Sequence, residues 1–361
     1  MKVMNIMLST KLGGIQQVFC DYDKALKLHN VEVLNIIHPF SEIKPALVKQ
    51  DAAIKTLFNF NKYDPFAVKR LAKYIQSFHP DIIILHGNRA AVFSKKAISN
   101  LAFSVPLVAV CHNQRVRPLI GLDALFVILE RLRRVVLEKG QTPKTIYYVP
   151  NMVESRKRRA SKKMSFRDSP VIGVIGRLVE EKSIDVLIEA VSLLKKKEIS
   201  VKVKIAGDGK LKRSLQTLAT AKGLDNEVEF LGWIDDKDKF FGDIDIFCLP
   251  SKIEHLSISL LEAMSYAKPI ITADSFGPKE VIKNEYDGLV VEKENPEKLA
   301  EAIERFVLDQ NIAREYANNA FHKFQKDFTL ESGAERLINA LNEIWLKNKE
   351  KLRNSSDVSG I

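Results

Sequence analysis

Short apolar runs, each followed by a polar loop and often by a stretch with helical periodicity, repeat along most of the chain. Runs of about four to eight apolar or alternating residues predict strands, and apolar positions at helical spacing predict helices. The predicted strands are residues 2–8, 31–37, 81–87, 105–113, 124–129, 145–151, 171–175, 201–209, 228–234, 244–249 and 287–291. Because strands alternate with helices, the pattern predicts an α/β fold built on parallel, doubly wound sheets.

The chain has 361 residues, which is long for a single domain of this kind. We predict a first domain over residues 1–153 and a second over residues 170–330. The linker between them, residues 154–169, carries the run Arg156-Lys157-Arg158-Arg159 without apolar periodicity, which is typical of an exposed segment. The same run leaves open a contact with anionic lipid headgroups or with nucleic acid. Residues 354–361 are predicted to form a disordered tail.

Hydrophobic residues make up 46% of the chain, which is ample for two buried cores. No N-terminal stretch has the basic start, apolar centre and cleavage site of a signal peptide, and no apolar run approaches the ~20 residues of a membrane-spanning helix. We therefore expect a cytoplasmic protein. Cys20, Cys111 and Cys248 lack metal-binding or redox spacing, so we expect buried free thiols, no disulfide and no metal site.

The net charge of +11 is unevenly distributed. Residues 1–170 contain 28 Lys and Arg against 12 Asp and Glu, whereas residues 171–361 contain 28 against 33. This asymmetry predicts that the first half meets an anionic partner, with nucleic acid, anionic lipid and phosphorylated glycan as candidates. A surface that only improves solubility is the alternative.

The most informative stretch runs from Pro250 to Met264, directly after the predicted strand 244–249. It predicts a loop and a helix start, so Glu254 and Glu262 would lie at the carboxyl end of a parallel strand, where open α/β sheets bind ligands. Ionised carboxylates suit pairs of hydroxyl groups, because they only accept hydrogen bonds. Taken alone, two acids at this spacing would more often be a solvated helix surface.

The Glu-x7-Glu spacing, with the following Ala-Met and Lys-Pro-Ile-Ile-Thr, resembles the signature of the retaining, nucleotide-sugar-dependent glycosyltransferases of family 4. That family has the GT-B fold, in which two Rossmann-like domains face a cleft. A C-terminal helix, here residues 331–353, crosses back to the first domain. The resemblance implies that Glu254 contacts the transferred sugar and that Glu262 binds the ribose hydroxyls.

Further segments match the family in order and spacing. Gly176-Arg177-Leu178, followed by Lys182, resembles the family's phosphate site, which implies that Arg177 and Lys182 stabilise the departing diphosphate. The resemblance also implies donor contacts at Gly13, Gly14, Gly207, Gly209 and Ile234.

Two histidines and one loop complete the predicted site. His86 and His112 fall where strands end, and the resemblance implies contacts to the sugar or acceptor, with His112 in a catalytic role. A structural capping role is the alternative for both. The loop residues expected to line the substrate site are His255, Leu256, Ser257 and Ile258.

Several positions depart from the family pattern. Glycine is usual where this chain has Met152, Ser183, Ser257 and Phe276. A small residue is common where it has His255, which bears on the choice of sugar. These substitutions change the expected shape of the loops.

The resemblance implies a retaining glycosyltransferase that moves a hexose from a nucleotide diphosphate sugar to a hydroxyl of an envelope glycan or glycolipid, such as a lipopolysaccharide core or capsule precursor. We expect no metal or other cofactor, because Arg177, Lys182 and helix N-termini would neutralise the diphosphate. We interpret the acidic segment Asp235-Asp236-x-Asp238 as a helix cap and not as a metal-binding motif. Expected partners are the donor, an anionic or lipid-linked acceptor and the inner face of the cytoplasmic membrane, without nucleic acid. The alternatives are a GT-B sugar-nucleotide epimerase and a non-enzymatic nucleic-acid binder.

Overall fold

The computed structural model describes residues 1–11, 13–61, 64–99, 101–155 and 166–358. It divides into two compact units, the first comprising Met1–Met152 with Leu330–Ile361 and the second comprising Val153–Thr329. Each unit is built on one parallel sheet with helices packed on it, so the predicted α/β class is confirmed. The basic run that begins at Arg156 lies outside the described residues.

The strands of the described residues are numbered in chain order. They are β1 Lys2–Met7, β2 Glu32–Ile37, β3 Ile54–Thr56, β4 Ile82–His86, β5 Leu107–Cys111, β6 Ala124–Val127, β7 Ile146–Tyr148, β8 Val171–Ile175, β9 Lys202–Ala206, β10 Val228–Gly232, β11 Ile246–Leu249, β12 Ile270–Ala273 and β13 Leu289–Val291.

The α-helices are numbered in the same way. They are α1 Gly14–Leu28, α2 Lys44–Lys49, α3 Pro65–Phe78, α4 Asn88–Ile98, α5 Glu130–Glu138, α6 Ile184–Lys196, α7 Lys212–Ala221, α8 Lys237–Asp243, α9 Ile258–Ser265, α10 Pro278–Val281, α11 Pro296–Leu308, α12 Gln310–Asp327 and α13 Leu330–Val358.

The sheet of the first unit has the order β3-β2-β1-β4-β5-β6-β7, and neighbouring strands are parallel. β1 pairs with both β2 and β4, so the strand order reverses between β1 and β4. At such a switch point, loops leave the sheet in opposite directions and open a crevice at the carboxyl ends of the strands. Gly13 and Gly14 follow β1, and His86 ends β4. The topology therefore brings these predicted residues to the same edge.

Helix α13 belongs to the first unit, as the predicted crossover requires. It packs along α1, and the Trp345 indole donates a hydrogen bond of 2.9 Å to the Asp81 carboxylate. The Tyr147 hydroxyl donates to Glu343 of the same helix at 3.0 Å. The helix continues to Val358, so the predicted disordered tail is wrong for residues 354–358. Extending an existing helix fixes one residue per hydrogen bond, which needs no new nucleus. Residues 359–361 lie outside the described part.

The sheet of the second unit has the order β10-β9-β8-β11-β12-β13, also with parallel pairing throughout. Its core lies between the sheet and helices such as α6 and α11, and it is made of aliphatic side chains including Ile172, Leu187, Ile205 and Ile303. The strand order reverses between β8 and β11. The loops after these two strands carry the Arg177-to-Lys182 segment and Glu254.

The pattern of apolar residues missed two elements of the first unit, α2 and β3. They span six and three residues, which is too short for a periodic signal to develop. The three cysteines are free and buried, as expected from their surroundings. Within the described ranges, no helix combines the length and the apolar character needed to cross a bilayer.

Candidate active site

The Lys182 ammonium forms an ion pair with the Glu254 carboxylate at the switch point of the second sheet. Lys182 ends a short 3-10 turn after β8, and Glu254 lies in the loop after β11. The two side chains are only 19% and 13% exposed, so the pair is shielded from water. The backbone joins the same two loops, because the Ile253 N–H donates to the Glu181 carbonyl at 3.3 Å. The fold therefore brings together two predicted catalytic residues that are 72 positions apart in the chain.

Close backbone approach builds the rim beside this ion pair. A Cβ atom on Gly207 would lie 1.9 Å from the Gly176 carbonyl oxygen, and one on Gly209 would lie 2.4 Å from the Leu178 carbonyl oxygen. The Gly176 N–H donates to Ala206 at 3.0 Å and so holds the two loops together. Only glycine fits at Gly207, which also has φ +135°. Polar backbone groups therefore crowd together at the carboxyl ends of β8 and β9.

Arg177 and Ile234 lie on this rim. Arg177 follows β8 and is exposed, and within the described ranges its guanidinium has no hydrogen-bond or ion-pair partner. Ile234 follows β10 and is half-buried, and the Gly207 N–H donates to the last residue of β10, Gly232, at 2.6 Å. An exposed guanidinium presents its N–H groups in a fork that suits phosphate oxygens.

The second acid of the motif, Glu262, lies on α9 and is only 8% exposed. Its carboxylate forms an ion pair with Lys237, the first residue of α8. The sequence analysis missed Lys237. A signal in the sequence could have found it, since Lys237 directly follows the predicted cap residue Asp236. The Asp236 carboxylate accepts a hydrogen bond of 2.8 Å from the Lys239 N–H and so caps α8. The predicted helix cap is confirmed, and it fixes the lysine that faces Glu262.

His255 and Phe276, which both depart from the family pattern, contact each other. Their ring centroids are 5.9 Å apart with the planes tilted by 54°. The Gly277 N–H donates to the Glu254 carbonyl at 3.0 Å, and a Cβ on Gly277 would lie 2.1 Å from the His255 carbonyl oxygen. Burial lowers the pKa of His255; Glu254 acts in the opposite direction, and Lys182 adds to the lowering. The two loops after β11 and β12 therefore bring an imidazole and a phenyl ring into contact where the backbone of Glu254 is bound.

The serines that replace family glycines differ in backbone conformation. Ser183 precedes α6 with φ 48° and ψ 44°, the left-handed region that favours glycine. Ser257 precedes α9 with φ −70° and ψ 125°, which any residue adopts. Ser257 is buried next to buried Leu256 and half-buried Ile258, and its hydroxyl lies 2.9 Å from that of Ser259. Replacement of glycine is thus strained at position 183 and unstrained at position 257.

Met152 also stands in place of a glycine, and its side chain is buried against the first turns of α13. A Cβ on Gly333 would lie 2.7 Å from the Met152 Cβ and 2.9 Å from its sulfur. The Met152 side chain fits at this position because Gly333 has no side chain.

The predicted histidines of the first unit form a pair. His86 Nδ1 lies 3.1 Å from His112 Nε2, and His86 packs against the rings of Phe19 and Tyr22 at centroid distances of 5.3 and 4.9 Å. His86 is 3% exposed, and burial, followed by the neighbouring His112, holds its pKa well below the usual value. Both rings are buried, His86 at 3% and His112 at 8% exposed, and they share one hydrogen bond.

Gly13 and Gly14 begin α1 at the switch point of the first sheet. Gly13 has φ 171°, an extended conformation, and its carbonyl accepts from the Gln16 N–H at 3.1 Å. The two glycines leave the start of α1 without side chains, and a Cβ on Gly13 would lie 3.3 Å from the Gln16 Oε1. In the part of the chain that the structure describes, no group of three His, Cys, Asp or Glu residues is placed to hold a metal ion.

Comparison with known proteins agrees with this geometry. Residues 155–323 match the family model described as glycosyl transferases group 1. A lipopolysaccharide core biosynthesis glycosyltransferase, LpsE of Rhizobium meliloti, is 33% identical over 165 residues, which are 46% of this chain and 47% of that protein. The chain matches 44% to 61% of the length of the first curated relatives.

Two solved structures share the fold over nearly the whole chain. Anabaena HepE in complex with UDP and glucose has a TM-score of 0.82 at 19% identity and covers 95% of this chain and 100% of its own. The lipopolysaccharide outer core galactosyltransferase WaaB has a TM-score of 0.78 at 18% identity, with 95% and 99% covered. The fold is thus the GT-B architecture. The chain carries a glycosyl transferases group 1 domain, and the family resemblance found in its motifs is confirmed.

Proposed function

We propose that the protein is a retaining glycosyltransferase that transfers a hexose from a nucleotide diphosphate sugar to a hydroxyl of an envelope glycan or glycolipid. The observation that carries the proposal is the shielded ion pair of Lys182 and Glu254 at the switch point of the second sheet. A cation for phosphate and a carboxylate for sugar hydroxyls lie side by side, at the edge where parallel sheets bind nucleotides. The matching family model and the relative named for lipopolysaccharide core biosynthesis support the activity and the acceptor class.

The residues of the second unit take the donor. Arg177 and Lys182 bind the diphosphate, Glu254 holds the hexose and Glu262 the ribose hydroxyls. The backbone at Gly207, Gly209 and Ile234 and the loop over residues 255–258 surround the nucleotide sugar. When the bond from the anomeric carbon to the diphosphate oxygen breaks, negative charge grows on the diphosphate, and fixed positive groups lower the barrier. The acceptor oxygen bonds to the anomeric carbon on the same face, and its proton passes to the departing diphosphate.

The first unit takes the acceptor. His112 contacts the sugar or acceptor, and Gly13 and Gly14 leave the start of α1 open to the donor phosphates. His86 is a positioning residue, because its buried ring reaches the reacting groups only through His112. The proposed reaction uses no metal ion, because Arg177, Lys182 and the N-terminus of α6 supply the positive charge at the diphosphate. The enzyme works at the inner face of the cytoplasmic membrane, where lipid-linked acceptors are presented.

The test is turnover of a panel of UDP-, GDP- and ADP-sugars by the purified protein, with release of the nucleoside diphosphate as the readout. We expect one donor to release its diphosphate, with the anomeric configuration retained in the product by proton NMR and with no loss of rate in EDTA. Epimerised sugar nucleotide without diphosphate release would favour the epimerase. Salt-sensitive binding of DNA or RNA without binding of any sugar nucleotide would favour the nucleic-acid binder.

A further inference from the structure

Four phenylalanines at one edge of the first unit are exposed. Phe40 is 72%, Phe58 37%, Phe60 83% and Phe66 82% exposed. Phe58 contacts two of the others, since its ring centroid lies 6.2 Å from that of Phe40 and 4.7 Å from that of Phe60. We call these four residues the aromatic patch. Single exposed apolar side chains are ordinary, but a group of large aromatic rings in water marks a docking surface.

The fold holds the patch in place with a buried carboxylate. Asp64 accepts backbone hydrogen bonds from Phe60 at 3.2 Å, Phe66 at 3.0 Å and Ala67 at 3.2 Å. Burial alone would raise the pKa of Asp64, but these three N–H groups hold it below the usual value. Asp64 therefore stays charged and binds the backbone N–H groups of Phe60, Phe66 and Ala67 at once. The main chain at Phe60 and at Phe66 is held by the same carboxylate.

Basic side chains continue from the patch along one helix face. Phe66, Lys69, Arg70 and Lys73 are spaced so that they share the exposed face of α3, whereas Val68, Leu71 and Ala72 are buried. Exposed Lys44 and Lys49 flank exposed Val48 on α2. Asp64, the acid nearest Phe66 in sequence, is buried and already holds the backbone N–H groups.

We propose that the aromatic patch and the basic face of α3 form a docking surface for an anionic lipid bilayer. Aromatic rings insert at the level of the headgroups, and Lys and Arg beside them bind lipid phosphates. Charge complementarity selects the bilayer over other occupants, because a second copy of this chain would bring the same positive face against itself. The inference gives the proposed envelope acceptor a point of access, but it does not require that glycosyl transfer be correct.

The experiment is co-sedimentation of the full chain with vesicles of phosphatidylcholine, with and without phosphatidylglycerol. We expect binding only to the anionic vesicles. The variant Phe60→Ser with Phe66→Ser should lower the partition coefficient about tenfold or more, since each ring withdraws apolar area from water. Lys69→Gln with Arg70→Gln should lower it about tenfold and weaken its dependence on salt. Leu308→Ser is the control, because Leu308 is 74% exposed in the second unit.

The temperature of thermal unfolding should be unchanged in these variants, because the replaced side chains are exposed to water. The rate of donor hydrolysis in solution should also be unchanged. Equal binding by the wild type and the two-phenylalanine variant would overturn the proposal, as would binding to neutral vesicles alone. A wild-type dimer in sedimentation analysis that the Phe60 and Phe66 substitutions dissociate would also overturn it, and would assign the patch to a second copy. Vesicle binding without any donor turnover would leave this inference standing and remove the proposed function.

Discussion

Lys182 and Glu254 form one ion pair although they belong to different loops, the first after β8 and the second after β11. Each constrains the other, so the side chain proposed to bind phosphate and the one proposed to bind sugar hydroxyls are positioned together. Removing either leaves its partner half-buried and uncompensated, which is costlier than the loss of an exposed pair. This arrangement leads to the first prediction.

Lys182→Ala should lower kcat of donor turnover about 100-fold or more, because it removes positive charge at the departing diphosphate. Lys252→Ala is the matched control. Lys252 lies two residues before Glu254, and its Nζ is 3.0 Å from Glu294, in a pair whose side chains are 34% and 53% exposed. An exposed pair contributes little, so turnover of the control should change about twofold at most. Steady-state kinetics of the two variants decide the matter, and similar rates for both would remove Lys182 from the site.

Glu262→Gln should weaken binding of the nucleoside diphosphate released in the donor panel about tenfold or more, because a hydrogen bond to a charged acceptor contributes about 1.5 to 3 kcal/mol. The same substitution should leave the affinity for the 2′,3′-dideoxy form of that nucleotide nearly unchanged, since that form lacks the hydroxyls Glu262 is proposed to bind. Titration calorimetry of both nucleotides against both proteins gives the comparison. Equal losses for the two nucleotides would mean that Glu262 acts only through Lys237 on the stability of the loop.

His255→Ala and Phe276→Ala should each change the choice of donor sugar, because the two rings contact each other and His255 directly follows Glu254. We expect the ratio of kcat/KM for a donor with a 2-acetamido group to that for its 2-hydroxy counterpart to rise about threefold to tenfold in each variant. Contacting rings are coupled by about 0.5 to 1.5 kcal/mol, so the double variant should depart from additivity. Unchanged ratios in all three variants would place the aromatic pair outside the sugar site.

Ser183→Gly should raise the free energy of unfolding by about 0.5 to 1 kcal/mol, because glycine adopts φ 48° without strain. Ser257→Gly should lower it by about 0.5 to 1 kcal/mol, since at φ −70° glycine only adds freedom to the unfolded chain. Urea denaturation of the full chain measures both. The opposite signs are the prediction, and a gain at both positions would contradict the assigned conformation of Ser257.

The free energy of unfolding should fall more steeply with acid in the wild type than in His86→Leu. Burial lowers the pKa of His86 in the folded state, so below about pH 6.5 the unfolded chain binds a proton that the folded chain does not. The difference between the two proteins should grow by at most about 1.4 kcal/mol per pH unit from pH 6.5 downward. Urea unfolding from pH 7.5 to 5.0 tests it, with exposed His29→Leu as the control. Equal pH dependence of the free energy of unfolding in the wild type and in His86→Leu would show that His86 takes up its proton in the folded protein.

Much of the fold could be predicted from the sequence, because local periodicity distinguishes apolar strands from amphipathic helices. It failed where elements are short, as at α2 and β3, and where a helix simply continues, as α13 does to Val358. In the candidate site, Lys182 and Glu254 could be predicted because each belongs to a short motif contained within one loop. Neither motif revealed Lys237, since the contact with Glu262 joins two helices and leaves no periodic trace.

By itself, then, the chain's sequence determined most of the longer strands and helices, the family model that its second half matches and the charged residues that lie near the carboxyl ends of strands. Tertiary structure alone decided that Lys182 contacts Glu254, that His86 is buried next to His112 and that His255 meets Phe276. The reason is that strand order in a parallel sheet brings distant loops to one edge, and side-chain contacts there depend on the packing of whole layers. Local residue preferences act over a few positions and do not encode those encounters.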